Sequence, residues 1–238
     1  MKIALIGYGK MGKEIEAVAL QRNHTISLII DINNQNELTV ENLKNADVAI
    51  EFTNPEIAYQ NVLKCFEADI PVVSGSTGWS EKVEVAKKIC LKENRSFIWS
   101  SNYSLGVNIF FKINAFLAKI MNRFDNYNVA IEETHHTQKL DAPSGTAISL
   151  ADDILKQIDR KTTWQLDKDD SADKLKITAV RRENVPGIHT INYDSPVDYI
   201  EITHSAKSRK GFAFGAVLAA EYIYNKKGVF TMDDLLSI

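Results

Sequence analysis

At 238 residues, with 45% apolar and 25% charged side chains, the chain is long enough for one large domain or two small ones and has the composition of a globular protein. Its formal net charge of −3 excludes a broad basic surface, and with it nucleic acid as the main partner, so any anion must be held by a local site. No apolar run approaches the roughly 18 residues of a membrane span, and the apolar start Ile3–Ile6 is too short for a secretory leader, so a cytoplasmic protein is expected.

The first strand candidate is Ile3–Ile6. Gly7-Tyr8-Gly9-Lys10-Met11-Gly12 follows it and opens a helix predicted over Met11–Arg22. This is G-x-G-x-x-G in the strand-to-helix setting that gives the motif meaning. Gly7 permits the tight turn, Gly9 lets the backbone approach a pyrophosphate, and Gly12 lets helix and strand pack closely. A second strand, Ile26–Asp31, ends on an acid 24 residues after Gly7. A carboxylate there can accept hydrogen bonds from adenosine ribose hydroxyls. Further strands are predicted at Val48–Phe52, Val72–Ser74 and Phe97–Trp99. The helices between them are Glu56–Glu67, with Asn54 as cap and Pro55 in its first turn, and Glu81–Glu93, which opens at Thr77–Ser80. Cys65 and Cys90 fall in these helices without metal-ligand spacing and are expected to be buried thiols in a reducing compartment. Strand–helix alternation predicts a Rossmann-type, doubly wound parallel sheet.

From about Leu105 the pattern changes. A long helix (about 106–122) precedes a strand (about 127–134), the loop discussed below, and a helix (about 144–158). Asp159–Asp173 has no periodicity and reads as a loop. Three extended runs then arrive in series, Lys176–Arg181, Ile188–Tyr193 and Tyr199–His204, with turns at Pro186-Gly187 and Asp194–Pro196. Strands in succession predict a second, α+β domain with a mostly antiparallel sheet. An Ala-rich amphipathic helix, Gly211–Asn225, and a short helix begun by Thr231 close the chain and are expected to return to the first domain.

Residues 132–147, Glu-Glu-Thr-His-His-Thr-Gln-Lys-Leu-Asp-Ala-Pro-Ser-Gly-Thr-Ala, carry the densest chemistry. His135 and His136 can titrate near neutral pH, and Lys139 offers a point charge to a carboxylate. Ser144, Gly145 and Thr146 open a helix, where free N–H groups and the dipole favour anions. Together these suit a site that binds an anionic substrate and moves a proton. Adjacent strand residues point to opposite faces, so the two histidines should not act alike, although residue chemistry does not say which does what. The same divergence argues against a shared metal, and neither His-Glu-x-x-His nor a cysteine cluster is present. Arg181, Arg182, His189, His204, Lys207, Arg209 and Lys210 add cations to the second half, and most are expected to be solvated surface.

The run at 132–147 resembles the signature of the 4-hydroxy-tetrahydrodipicolinate reductase (dihydrodipicolinate reductase) family, nicotinamide-dependent enzymes of bacterial lysine and diaminopimelate synthesis. The resemblance extends from the glycine turn to Gly228–Leu236. It implies His135 as proton donor, His136 in substrate binding, Lys139 in carboxylate binding and proton transfer, and Ser144, Gly145 and Thr146 on the other carboxylate. The segment His204–Arg209 and the pair Arg181 and His189 also resemble family segments and are expected to support the site rather than perform chemistry. On the coenzyme side it implies Gly7–Gly12 (Tyr8, Lys10 and Met11 included), Asp31, Phe52, Thr53, Gly75, Ser76 and Thr77, with Ser101, Asn102 and Tyr103 at the nicotinamide and the hinge. Residues 1–104 with 211–238 would hold the coenzyme, and 105–210 would bind a small dicarboxylate and build a homotetramer. The chain departs from the family pattern in its shorter glycine turn, in Arg182-Glu183, where small residues are usual, and in lacking an arginine after the acid.

That last departure bears on the coenzyme. A 2′-phosphate needs a cation near the end of strand two, yet Asp31 is followed by Ile32, Asn33 and Asn34, with Glu37 and Glu41 before the next cation, Lys44. The expectation is NADH as preferred coenzyme, with NADPH accepted if Lys10 or Lys13 reaches the phosphate. Two rival readings share the glycine turn: another two-domain nicotinamide dehydrogenase acting on an amino acid or semialdehyde, and a non-catalytic nucleotide sensor. Neither needs His-His-x-x-Lys joined to Pro-Ser-Gly-Thr.

Overall fold

In the computed structural model, residues 1–168 and 171–237 are described. In chain order the elements are β1 (Lys2–Ile6), α1 (Lys10–Gln21), β2 (Thr25–Ile30), a 3-10 turn (Gln35–Glu37), α2 (Val40–Leu43), β3 (Val48–Glu51), α3 (Ala58–Glu67), β4 (Val72–Ser74), α4 (Ser80–Lys92) and β5 (Ser96–Trp99). There follow α5 (Leu105–Met121), β6 (Asn128–His135), α6 (Gly145–Leu155), β7 (Thr163–Leu166), β8 (Lys174–Arg181), β9 (Ile188–Asp194), β10 (Tyr199–Ser205), α7 (Lys210–Ile223), β11 (Gly228–Phe230) and α8 (Met232–Leu236). Residues 1–105 with 209–238 form one compact unit, and residues 106–208 form another.

The first unit is a six-stranded sheet in the order β11-β5-β4-β3-β1-β2. Every pairing is parallel. Alternation along the strands feeds two cores: Ile3 and Leu5 point to α1 and α7, whereas Ala4 and Ile6 point to α3 and α4. A sheet buried on both faces needs strands that are near-continuously apolar, which β1, β3 and β4 supply apart from Lys2 at the start of β1 and Glu51 and Ser74 at the carboxyl ends of β3 and β4. The chain runs from β1 to β2 and returns to β3 on the other side of β1. The carboxyl ends of β1 and β3 therefore flank a topological switch point, the place where such sheets bind ligands. Asn54 Oδ1 accepts the N–H groups of Glu56 and Ile57 ahead of α3, and Thr231 closes a capping box on Asp234 at α8. In this unit three elements were not legible in the sequence: the 3-10 turn, α2 and β11, each of three or four residues. Such runs are too short to show a period. Gly228 opens β11, which extends the sheet beside β5.

The second unit has a five-stranded sheet in the order β10-β9-β6-β8-β7. The β6–β9 and β9–β10 pairs are antiparallel, but β6–β8 and β7–β8 are parallel. The sheet is thus mixed, not mostly antiparallel. The consecutive strands β8 and β9 run in opposite directions without pairing, because β6 lies between them. Part of Asp159–Asp173 also departs from the loop expected there. Thr163–Leu166 is an edge strand on β8, while 169 and 170 of that stretch lie outside the described residues. One face of the sheet is apolar, with Val129 and Ile131 of β6, Leu175 and Ile177 of β8, and Ile191 and Tyr193 of β9. Ala147, Leu150, Ala151 and Ile154 of α6, spaced as one helical stripe, belong to the same core. Each fully buried Leu or Ile here contributes about 1.5–3 kcal/mol. The β6 residues of this face continue, two by two, to Glu133 and His135.

Candidate active site

In the first unit the turn after β1 is made by backbone that no side chain could share. Gly7 has φ +98°, and a Cβ there would lie 2.1 Å from the Phe52 carbonyl oxygen. A Cβ on Gly12 would lie 2.3 Å from the Gly7 carbonyl oxygen, so this glycine serves packing. At Gly9 an added Cβ meets nothing within 4 Å, which leaves open space against the backbone.

A fully buried carboxylate, Glu51 at the end of β3, fixes the neighbouring loops. It accepts hydrogen bonds from Ser74 Oγ (2.6 Å), Ser76 Oγ (2.8 Å), the Thr53 N–H (3.1 Å) and the Thr53 hydroxyl. The Ser76 carbonyl accepts from the indoles of Trp79 and Trp99. Ser76 and Thr53 are thus tied to the carboxyl ends of the central strands by a buried charge whose lone pairs are occupied.

A cavity of about 300 Å³ opens there, lined by Gly7, Tyr8, Gly9, Asp31, Ile32, Phe52, Thr53 and Lys64, among others. Asp31 follows β2, and its carboxylate accepts the Ile32 N–H at 2.8 Å. Tyr8 donates its hydroxyl to Glu16. A second cavity of about 270 Å³ is lined by Met11, Phe52, Gly75, Ser101, Tyr103, Arg209 and Phe212. The Tyr103 hydroxyl donates to the carbonyls of Ser74 (2.9 Å) and Ile98 (3.2 Å), so only its ring is available to this cavity. Lys10 and Thr77 are exposed and lie off both sets of walls. Asn102 Oδ1 accepts the Ser104 N–H, which shapes the turn after β5.

In the second unit Glu133 is the hub. It is fully buried, and strand register sets its neighbours: His189 of β9 lies opposite it, and Arg181 of β8 lies opposite His135. Arg181 Nη1 and Nη2 both approach Glu133 Oε1 at 3.3 Å. Oε2 accepts the Ser144 N–H at 3.0 Å and lies 3.5 Å from His135 Nδ1 and 3.8 Å from His189 Nε2. Ser144 caps α6, its Oγ accepting the Ala147 N–H at 3.2 Å and sharing a hydrogen bond with His189 Nε2 at 3.1 Å. The rings of His135 and His189 meet edge to face at 5.0 Å. Gly187 lets the next loop close on this pair, since a Cβ there would lie 3.0 Å from His135 Nε2. Arg181 also donates to the carbonyls of Asp141 (2.8 Å) and Lys139 (3.4 Å), which ties the loop to the cluster.

Burial lowers the His189 pKa to about 3, helped by His135, His204 and Lys139, so it is neutral at neutral pH. Burial also lowers the His135 pKa; Glu133 opposes this, while Lys139, Arg181 and His136 add to it. Glu133, His135 and His189 offer three ligand atoms within 4.8 Å of one another, a set a metal could use. The guanidinium of Arg181 already answers that carboxylate, and a divalent cation would have to sit against it.

His135 thus faces the cluster, while His136, just beyond β6, does not join it and is half-buried. Lys139 Nζ is paired with Asp141 at 2.8 Å. The Ser144 N–H, expected to be open to an anion, is spent on Glu133; Gly145 and Thr146 begin the helix with an exposed and a half-buried residue. Arg181 and His189 join the cluster, and His204 packs against Phe110 instead. Arg182 and Lys207 are exposed. Three residues escaped the sequence reading: Glu133, Glu51 and Lys64. For Glu133 the signal was present, because Val129, Ile131, Glu133 and His135 follow the period of one buried face. For Lys64 there was none, since α3 reaches the Asp31 cavity only through the tertiary fold.

A glycine turn at the switch point of a doubly wound sheet, in one chain with an imidazole–carboxylate cluster at a helix N-terminus, defines a two-domain nicotinamide-dependent oxidoreductase. Residues 1–103 match the model of the dihydrodipicolinate reductase N-terminus, and residues 106–236 match that of its C-terminus. The chain therefore belongs to the dihydrodipicolinate reductase family. It is 52% identical over 237 residues to the 4-hydroxy-tetrahydrodipicolinate reductase of Christiangramia forsetii, covering 100% of this chain and 98% of that one. With the enzyme of Staphylococcus saprophyticus it shares 34% over 249 residues, covering 99% and 100%. The fold matches dipicolinate-bound dihydrodipicolinate reductase from Paenisporosarcina sp. TG-14 with a TM-score of 0.79 at 20% identity, covering 97% of each chain. An amine dehydrogenase from Mycobacterium smegmatis matches at 0.62 and 9%, covering 98% and 95%, a likeness of fold alone.

Proposed function

We propose that the protein reduces 4-hydroxy-tetrahydrodipicolinate to tetrahydrodipicolinate with a reduced nicotinamide coenzyme, in lysine and diaminopimelate synthesis. The 52% identity to a 4-hydroxy-tetrahydrodipicolinate reductase over the whole chain carries this reading and disfavours the other dehydrogenases. The first unit fits the coenzyme: the open backbone at Gly9 accommodates a pyrophosphate, and Asp31 accepts from the adenosine ribose. Phe52, Gly75, Ser101 and Tyr103 wall the nicotinamide half; Gly12, Thr53, Ser76 and Asn102 hold the turns in place. The 4-hydroxyl leaves the ring as water, and the coenzyme, when bound, supplies the hydride to the unsaturated ring that results. In the second unit His135 delivers the proton that completes the reduction, a contribution on the order of 10²–10⁴-fold. Lys139 leaves Asp141 for one substrate carboxylate and His136 assists it. Gly145 and Thr146 present N–H groups to the other carboxylate, in a turn that Ser144 braces.

NADH is the favoured coenzyme in this reading. Asp31 would face a 2′-phosphate, and no Lys or Arg lies between Asp31 and Lys44. Lys64 is the cation on the cavity wall, but it donates to the Leu38 carbonyl at 2.9 Å. The test follows coenzyme oxidation with substrate generated in situ from pyruvate and aspartate semialdehyde. Substrate-dependent oxidation, with higher kcat/KM for NADH, is expected. No oxidation by folded, coenzyme-binding protein would refute the reaction, and a clear preference for NADPH would refute the coenzyme argument alone.

The protein assembles as a homotetramer through its second unit. Ile109, Ile113, Phe116 and Ile120 form an exposed stripe on α5, and Tyr199 and Ile200 at the start of the edge strand β10 are exposed, as is Val197 just before it. Buried free thiols at Cys65 and Cys90 accord with a cytoplasmic location. Among the described residues no helix is long and apolar enough to cross a membrane.

A further inference from the structure

Glu133 is fully buried on the face of β6 that carries His135, and none of the roles assigned above uses it. The placement is specific. Glu133 Oε2 is 3.5 Å from His135 Nδ1, and that nitrogen is buried with no hydrogen-bond partner. The same oxygen holds the Ser144 N–H, while Oε1 is held by both terminal nitrogens of Arg181. We propose that Glu133 is a positioning residue for the reduction: it keeps the His135 proton on Nδ1, leaves Nε2 to carry the transferable proton, and sets the proton donor in register with the N-terminus of α6. This rests on the reading of His135 as proton donor.

A buried imidazole meets a cost before it can act as an acid. It must become an imidazolium, and burial opposes that; so do the basic groups around it. Lys139 and His136 face it from the loop, Arg181 from β8, and His189, neutral, from β9. Glu133 is the one anion acting on it from this set. A carboxylate beside Nδ1 fixes the tautomer and stabilises the charged form, as orienting carboxylates do in other imidazole acids and bases. Arg181 holds that carboxylate still, and the Ser144 N–H carries the same reference point to the turn expected to meet a substrate carboxylate. One buried group thus aligns His135 with a turn that lies eleven residues beyond Glu133 itself in sequence.

Glu133→Gln tests this, because an amide oxygen can still accept from the Ser144 N–H while the charge is gone. We expect kcat to fall by about tenfold or more, with the substrate KM within about threefold of the parent. The limb on which turnover is lost as pH rises should move to lower pH, since the imidazolium has lost its anion. Glu133→Asp should restore part of that limb. A pH limb and kcat like the parent's, or a loss confined to KM, would overturn the proposal. His135→Gln separates the two layers. If it retains turnover, the proton-donor reading itself fails; if it is inactive while Glu133→Gln behaves as parent, only the positioning role fails. Should Glu133→Gln not fold, nitrogen NMR of the parent imidazoles decides: a proton on His135 Nδ1 supports the proposal, and one fixed on Nε2 overturns it.

Discussion

Replacing Arg181 with methionine keeps most of the side chain's length and removes the charge. Its side chain is 22% exposed and Glu133 is fully buried, so solvent screens the pair little. The substitution deletes two contacts to Glu133 at 3.3 Å and the 2.8 Å bond to the Asp141 carbonyl. What costs most is the carboxylate left behind. Removing one partner of a buried ion pair typically costs about 3–5 kcal/mol, far more than a surface pair is worth. For a chain of this size about 2–4 °C accompanies each kcal/mol, so the melting temperature should fall by about 6–20 °C. Urea denaturation measures the free energy, and the double variant Arg181→Met/Glu133→Gln measures its origin. If the penalty is the stranded charge, the double variant recovers most of the loss, and the cycle shows strong coupling. A loss under about 1 kcal/mol, in the range of surface pairs, or strict additivity in the cycle, would refute the account of Glu133 as a buried charge held by Arg181.

Gly75→Ala places a methyl 2.1 Å from the Phe52 ring, so the ring must leave the wall shared by both cavities. Coenzyme affinity measured by fluorescence titration should fall by about tenfold or more, the equivalent of about 1.4 kcal/mol, and unchanged affinity would show that Phe52 does not shape the coenzyme site. His189 has a folded-state pKa of about 3, below the ordinary histidine value. Between these values the unfolded chain binds more protons, so this group's stabilising contribution is complete above about pH 6.5 and falls as pH drops, by about 1.4 kcal/mol per unit. His189→Gln should flatten that part of the stability–pH curve; an identical slope would exclude a neutral buried imidazole. Phe116, 68% exposed on α5, is the most exposed member of its stripe. Phe116→Glu should lower the mass measured by light scattering without lowering the far-UV helix signal. An unchanged mass would remove α5 from the proposed subunit interface.

The sequence by itself determined the local grammar of this protein. The alternation of apolar runs and helical patterns gave the parallel sheet, because a strand buried on both faces has no other composition. The glycine turn was legible because Gly7 and Gly12 sit where any Cβ would strike backbone. The loop at 132–147 declared its chemistry through residue type. Tertiary structure decided the partners. Glu51 and Glu133 each read as a residue near the end of a strand; each becomes a hub only when long-range pairing brings serines, or Arg181 and His189, to it. Lys64 meets the Asp31 cavity from α3, and β7 and β11 exist because neighbouring strands offer them an edge. The mixed second sheet shows the same division: chain order gave the directions of β8 and β9, but not that β6 would lie between them. Periodicity records what each residue faces within its own element, whereas register and crossover are set by burial summed over the whole unit, and no short stretch of sequence contains that sum.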